Sequence, residues 1–125
     1  MQAYKAQLRR HLADHGWEVV EVVEGDDWWV DEYWRLESRQ NLWGWAVILT
    51  FLVDPMWDAP RKKGQGVWAV AASETTPADR LSAEGGLTDL CMVKGRFDEK
   101  LRAFVAALDA HRNAREHATR ADRPG

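Results

Sequence analysis

A chain of 125 residues with 46% hydrophobic and 30% charged side chains has the make-up of a single soluble domain long enough to bury a core. Its net charge of −3 argues against a generally basic nucleic-acid surface, and its one cysteine, Cys91, excludes an intrachain disulfide. The opening residues lead into charge, and the longest apolar stretch, residues 45–53, is far too short to cross a bilayer. A cytoplasmic protein without a membrane segment is expected.

In chain order, Tyr4, Leu8, Leu12 and His15 recur at helical spacing and predict an amphipathic first helix, with Lys5, Arg9 and Arg10 turned away from its core. Gly16 suits the position just past its end. The period then changes from 3.6 to 2, and residues 17–23, 28–37, 43–53 and 66–72 read as four strands. Thr76-Pro77-Ala78-Asp79 has the chemistry of a helix start, and Gly85-Gly86 would close that short helix. Residues 87–93 form a candidate fifth strand, whose apolar neighbours mark Cys91 as a buried thiol. Phe97, Leu101, Phe104, Val105 and Leu108 lay out the stripe of a last helix, and from residue 119 the polar chain is expected to fray. The order is α-β-β-β-β-(short α)-β-α. It implies one α+β domain over residues 1–118 and a disordered tail over 119–125. Its sheet is a four- or five-stranded antiparallel meander with the N- and C-terminal helices packed on one face.

All eight tryptophans fall between Trp17 and Trp68, so the register of the strands decides which rings are core. A four-residue loop Ser38-Arg39-Gln40-Asn41 would set Trp34 opposite Trp45, Val30 opposite Leu49 and Trp28 opposite Phe51. A two-residue turn at Gly25-Asp26 would set Trp17 opposite Trp34 and Val23 opposite Trp28. Trp17, Trp28, Trp34, Trp43 and Trp45 then lie inside, Trp29 and Trp57 are left unclaimed by packing, and Trp68 is unassigned. The second face of the sheet carries Val20, Val22, Trp29, Asp31, Tyr33, Arg35, Gly44, Ala46, Ile48, Thr50 and Leu52. It is too apolar for plain exposure, which points to a dimer partner, a ligand or a covering loop.

Few residues suggest chemistry. Glu32 falls on the tryptophan face between Val19 and Val47, where desolvation would prepare a general acid or base unless an arginine pairs with it. Asp31 and Arg35 flank Tyr33 on the second face and could hold a polar ligand or form a cross-strand network. Trp57 beside Arg61, Lys62 and Lys63 could stack and neutralise an anionic ligand. The same loop falls at the end of the sheet that carries the acidic turn Glu24-Gly25-Asp26-Asp27, which would repel phosphate and pair with the lysines. His11 and His15 have metal-pair spacing but no further ligand, and His111 and His117 do not share a face, so no metal and no cofactor is expected. From Asp14 to Glu37 there are nine acidic residues and one basic, whereas residues 94–123 carry eight basic and five acidic. Such segregated charges pair or solvate more often than they bind nucleic acid. No P-loop, dinucleotide fingerprint, nucleophile elbow or zinc signature is present.

These observations favour a small binding or interaction module, a homodimer or ligand binder, that uses Trp29, Asp31, Tyr33, Arg35 and Trp57. A small enzyme centred on Glu32 and an anion site at Arg61, Lys62 and Lys63 are the alternatives.

Overall fold

The helical spacing at the N-terminus becomes α1 (Ala3–Asp14) in the computed structural model, which describes residues 3–25, 28–39, 46–74, 86–93 and 95–121 and, within these, the side chains of residues 4–116. Gly16 closes the helix at φ +83, a conformation glycine adopts without a Cβ penalty. Five strands follow: β1 (Trp17–Glu24), β2 (Val30–Ser38), β3 (Val47–Val53), β4 (Val67–Ser73) and β5 (Gly86–Cys91). They form one antiparallel sheet in the order β1-β2-β3-β4-β5, the expected meander, and α2 (Phe97–Ala121) completes an α+β fold. The short helix expected after Thr76 lies outside the described residues, as do Trp43, Trp45 and residues 122–125.

Both helices pack on one face. Leu8 and Leu12 from α1 and Leu101, Phe104, Val105 and Leu108 from α2 share a single buried cluster with Trp34, Leu49, Phe51 and Val70 of the sheet. Each such side chain contributes roughly 1.5–3 kcal/mol of burial, so this seam is the main source of stability. A polar clasp closes its lower end. Asp109 of α2 accepts the Trp17 indole N–H at 3.0 Å, meets His15 Nδ1 at 2.5 Å, and pairs with Arg112, which itself donates to the His15 carbonyl at 3.0 Å.

The register differs from expectation while most faces do not. Trp34 lies opposite Leu49, not Trp45, and Glu32 lies opposite Phe51. Trp17 lies opposite Ser38, not Trp34. Both slips are by four residues, and an even slip keeps each side chain on its face. That is why Trp17, Trp34, Leu49 and Phe51 are buried although their partners are not those expected.

Bulges account for the remaining corrections. An extra residue at Val20 turns Val22 to the helix side, opposite Trp34, where a regular strand would have placed it on the second face. A second bulge falls at Asp31, so β2 begins only at Val30. Gly25 donates its N–H to the Asp31 carbonyl at 3.1 Å, and a Cβ at Gly25 would lie 2.1 Å from the Val30 carbonyl oxygen. Chain convergence at this turn therefore requires glycine. The expected burial of the adjacent tryptophans is reversed: Trp28 is 65% exposed and Trp29 only 6%. Trp68 occupies a further bulge between its neighbours opposite Leu52 and Val53, and is partly exposed.

Candidate functional site

The bulge at Asp31 delivers two consecutive carboxylates to the helix side, and both meet Lys5 of α1. Lys5 Nζ donates to Asp31 Oδ2 at 2.8 Å and to Glu32 Oε1 at 2.7 Å, with Lys5 only 6% exposed. Lys5 is thus buried, contrary to the expectation that it turns to solvent. It shares a helical stripe with Leu8 and Leu12, and only the paired acids make its burial tolerable. The same ammonium lies 4.9 Å from the Phe51 ring centroid, a favourable cation–π placement.

The connection between β3 and β4 supplies the remaining charges. Arg61 Nη1 donates to Asp31 Oδ1 at 2.6 Å, and the Gly64 N–H adds a bond to the same oxygen at 2.8 Å. Lys63 Nζ lies 3.3 Å from Glu32 Oε2 and 3.4 Å from Glu24 Oε1. The expected pairing of this basic loop with the acidic turn is present. Trp34 Nε1 donates to Glu32 Oε1 at 3.0 Å, so both Glu32 oxygens are occupied. Burial alone would push the Asp31 carboxyl up; the Gly64 N–H, Lys5 and Arg61 outweigh it and hold the group below the ordinary carboxylate range. Tyr4 shows the opposite balance. Burial first, then the neighbouring negative charges of Asp31 and Glu32, drive its phenol far above the usual value, and its hydroxyl is buried with no hydrogen-bond partner.

Above this neutralised floor a cleft of about 360 Å³ opens between α1, β1 and β2, within the size range of small-ligand sites. Lys5, Ala6 and Arg9 line it from α1, Val22 from β1, and Glu32 and Trp34 from β2. Arg9 carries its guanidinium 5.9 Å from the Trp34 ring centroid and has no carboxylate partner among the described residues. The cleft therefore combines an aromatic and aliphatic wall with one uncompensated cation.

Of the residues singled out from sequence, the structure brings Asp31 and Glu32 together with Arg61 and Lys63, and leaves Lys62 exposed without a carboxylate partner among the described residues. It separates Asp31 from Tyr33 and Arg35. Those two remain on the second face, half-buried, where Tyr33 lies opposite Thr50 and Arg35 opposite Ile48. Arg35 Nε reaches Glu37 at 3.4 Å. Trp29 is buried. Trp57 is 42% exposed and stacks on Gly66, at which a Cβ would come within 3.1 Å of the ring. Lys5, Arg9 and Val22 were not foreseen as site residues. The legible clue was the pair of adjacent acids between Val30 and Trp34, which requires a nearby cation but does not say which. Among the described residues no group of three His, Cys, Asp or Glu could hold a metal, and no helix is long and apolar enough to cross a membrane.

No protein-family model, curated protein or solved structure gives a significant match to this chain. The site must be interpreted from its own geometry.

Proposed function

We propose that this protein is a binding module that holds its ligand in the cleft between α1, β1 and β2, and that the ligand joins an apolar body to an anionic group. The observation that carries this reading is Arg9: a guanidinium without a carboxylate partner among the described residues, beside the Trp34 ring and lining a 360 Å³ cleft walled by Val22 and Ala6. An arginine over an aromatic ring favours planar anions by charge and by stacking. Glu32 fits a positioning role better than proton transfer, because Lys5, Lys63 and the Trp34 indole already occupy its oxygens. An anion site on the Trp57 loop has less support, since Arg61 and Lys63 are committed to Asp31, Glu32 and Glu24.

The test uses the Trp34 indole N–H, read by NMR and assigned through Trp34→Phe, with benzoate and its neutral counterpart benzamide as probes. Benzoate should shift this resonance more than benzamide, and Arg9→Gln should abolish the difference. If neither probe moves it, or both move it equally, the cleft reading fails.

A protein contact on the second face, a homodimer in its simplest form, is a second reading. Tyr33, Arg35 and Ile48 favour it: they are only half-buried on a face that no described helix covers. Arg35→Glu should then weaken self-association in light scattering; a clean monomer at high concentration removes the idea.

A further inference from the structure

β1 ends the sheet, and its outer side has no strand partner among the described residues. Residues 20–24 are exposed, with Val20, Val22 and Val23 each near 45%. A valine-rich edge with free backbone donors and acceptors is a template for a further strand, and natural proteins guard such edges with lysine, proline or bulges. Here the guards are the bulge at Val20 and the glutamates. Proline and lysine are absent from the strand.

The charges along this edge are one-sided. On the second face Glu18 lies opposite Glu37, and Glu21 opposite Arg35, whose guanidinium also reaches Glu37. Glu18, Glu21 and Glu37 thus surround Arg35 on this face, and among the described residues only Glu37 is in ion-pair distance of it. On the other face Val22 forms a wall of the cleft, so the edge strand itself borders the cleft. Residues that face one another across neighbouring strands lie on the same side of the sheet. A strand added to β1 would therefore place one side chain beside Glu21 and the adjacent one, opposite Val22, towards Trp34 and Ala6.

We propose that the ligand of this site is an extended polypeptide segment that adds to β1 as a sixth strand. Its basic side chains lie over Glu18 and Glu21, and an intervening acidic side chain carries its apolar stem and its carboxylate into the cleft, towards Arg9. This rests on the cleft being the binding site. Backbone pairing gives affinity in such strand addition, while the alternate side chains give selectivity. A second copy of the chain is a poor occupant. The edge sequence Glu-Val-Val-Glu-Val-Val-Glu reads identically in both directions, so the antiparallel register that matches valine with valine sets Glu21 against Glu21 and Glu18 against Glu24. Like charges directly opposite are destabilising.

The probe is the peptide acetyl-Lys-Val-Lys-Glu-Lys-Val-Lys-amide, added to the full chain, with two controls: one with glutamate in place of every lysine, and one with proline in place of both valines. Hydrogen exchange of the β1 amides, the Trp34 indole resonance and light scattering are followed. The lysine peptide should slow exchange of those β1 amides that face away from β2, shift Trp34, bind more weakly as salt rises, and leave the protein monomeric. Glu21→Lys, at an exposed site, should weaken it about tenfold. The proline and glutamate peptides should bind far less. Binding without β1 protection, equal binding of the proline peptide, or β1 amides already protected by self-association would overturn the proposal. Absence of peptide binding while benzoate still shifts Trp34 overturns strand addition alone. Loss of both responses removes the cleft as well.

Discussion

Replacing Lys5 with methionine keeps the length and apolar stem of the side chain, so the core seam against Phe51 stays filled and the change isolates the ammonium. Removing one partner of a buried ion pair costs about 3–5 kcal/mol, because a charge is left without compensation. Here the two carboxylates are not equally stranded. Asp31 keeps Arg61 at 2.6 Å and the Gly64 N–H at 2.8 Å. Glu32 keeps the Trp34 N–H at 3.0 Å and a half-exposed Lys63 at 3.3 Å. Only Glu32 is left seriously exposed to desolvation, which places the loss near the lower bound, about 3 kcal/mol. For a domain of this size that lowers Tm by roughly 10–15 °C. Urea and thermal unfolding followed by circular dichroism measure it, and the double variant Lys5→Met/Glu32→Gln supplies the control. Glutamine still accepts the Trp34 N–H but carries no charge, so the double variant should recover more than about 1 kcal/mol of the loss. A Lys5→Met cost below about 1 kcal/mol, the range of solvated pairs, refutes the reasoning. So does strict additivity in the double variant.

Three further outcomes follow from the same geometry. Because the folded state holds the Asp31 carboxyl below its unfolded value, its contribution to stability is complete above the ordinary carboxylate pKa of about 3.9 and is lost as pH falls below it; Asp31→Asn should flatten acid unfolding in that window, and an unchanged acid limb would contradict the assignment. Tyr4 has the opposite sign: its folded pKa is raised, so stability is present below about pH 10 and declines above it. Absorbance at alkaline pH should show Tyr4 ionising only as the chain unfolds, and Tyr4→Phe should lessen the decline. Gly66→Ala adds a Cβ that meets the Trp57 ring at 3.1 Å at φ +74, so it should cost about 1–2 kcal/mol and move the Trp57 indole resonance.

How far the sequence reached can be judged residue by residue. The strand faces were legible because alternation survives any even slip of register, so Trp34 and Leu49 were assigned inside without their true partner being known. The register itself was not legible. Matching Trp34 with Trp45 and Trp28 with Phe51 assumed a four-residue connection, whereas β2 ends at Ser38 and β3 begins at Val47; single-residue bulges then shift the faces locally, and neither Val20 nor Asp31 carries a side chain peculiar to bulges. The same omission misplaced Val22, Trp28 and Trp29. On α1, Tyr4 and Lys5 are both compatible with the Leu8 and Leu12 stripe, and polarity alone sent Lys5 outward. Only the three-dimensional fact that Asp31 and Glu32 converge on it reverses that choice.

The bulges also bear on how this site could change over evolutionary time. One extra position in β1 stands unpaired between Val19 and Glu21, and one in β2 lets adjacent acids face the same way. Deleting Val20 would close the bulge and leave Glu21 opposite Arg35 and Val22 opposite Trp34, so the cleft wall would survive in a regular strand. A single codon lost at this point would thus be absorbed by the strand, a built-in tolerance to deletion that leaves every core side chain in place.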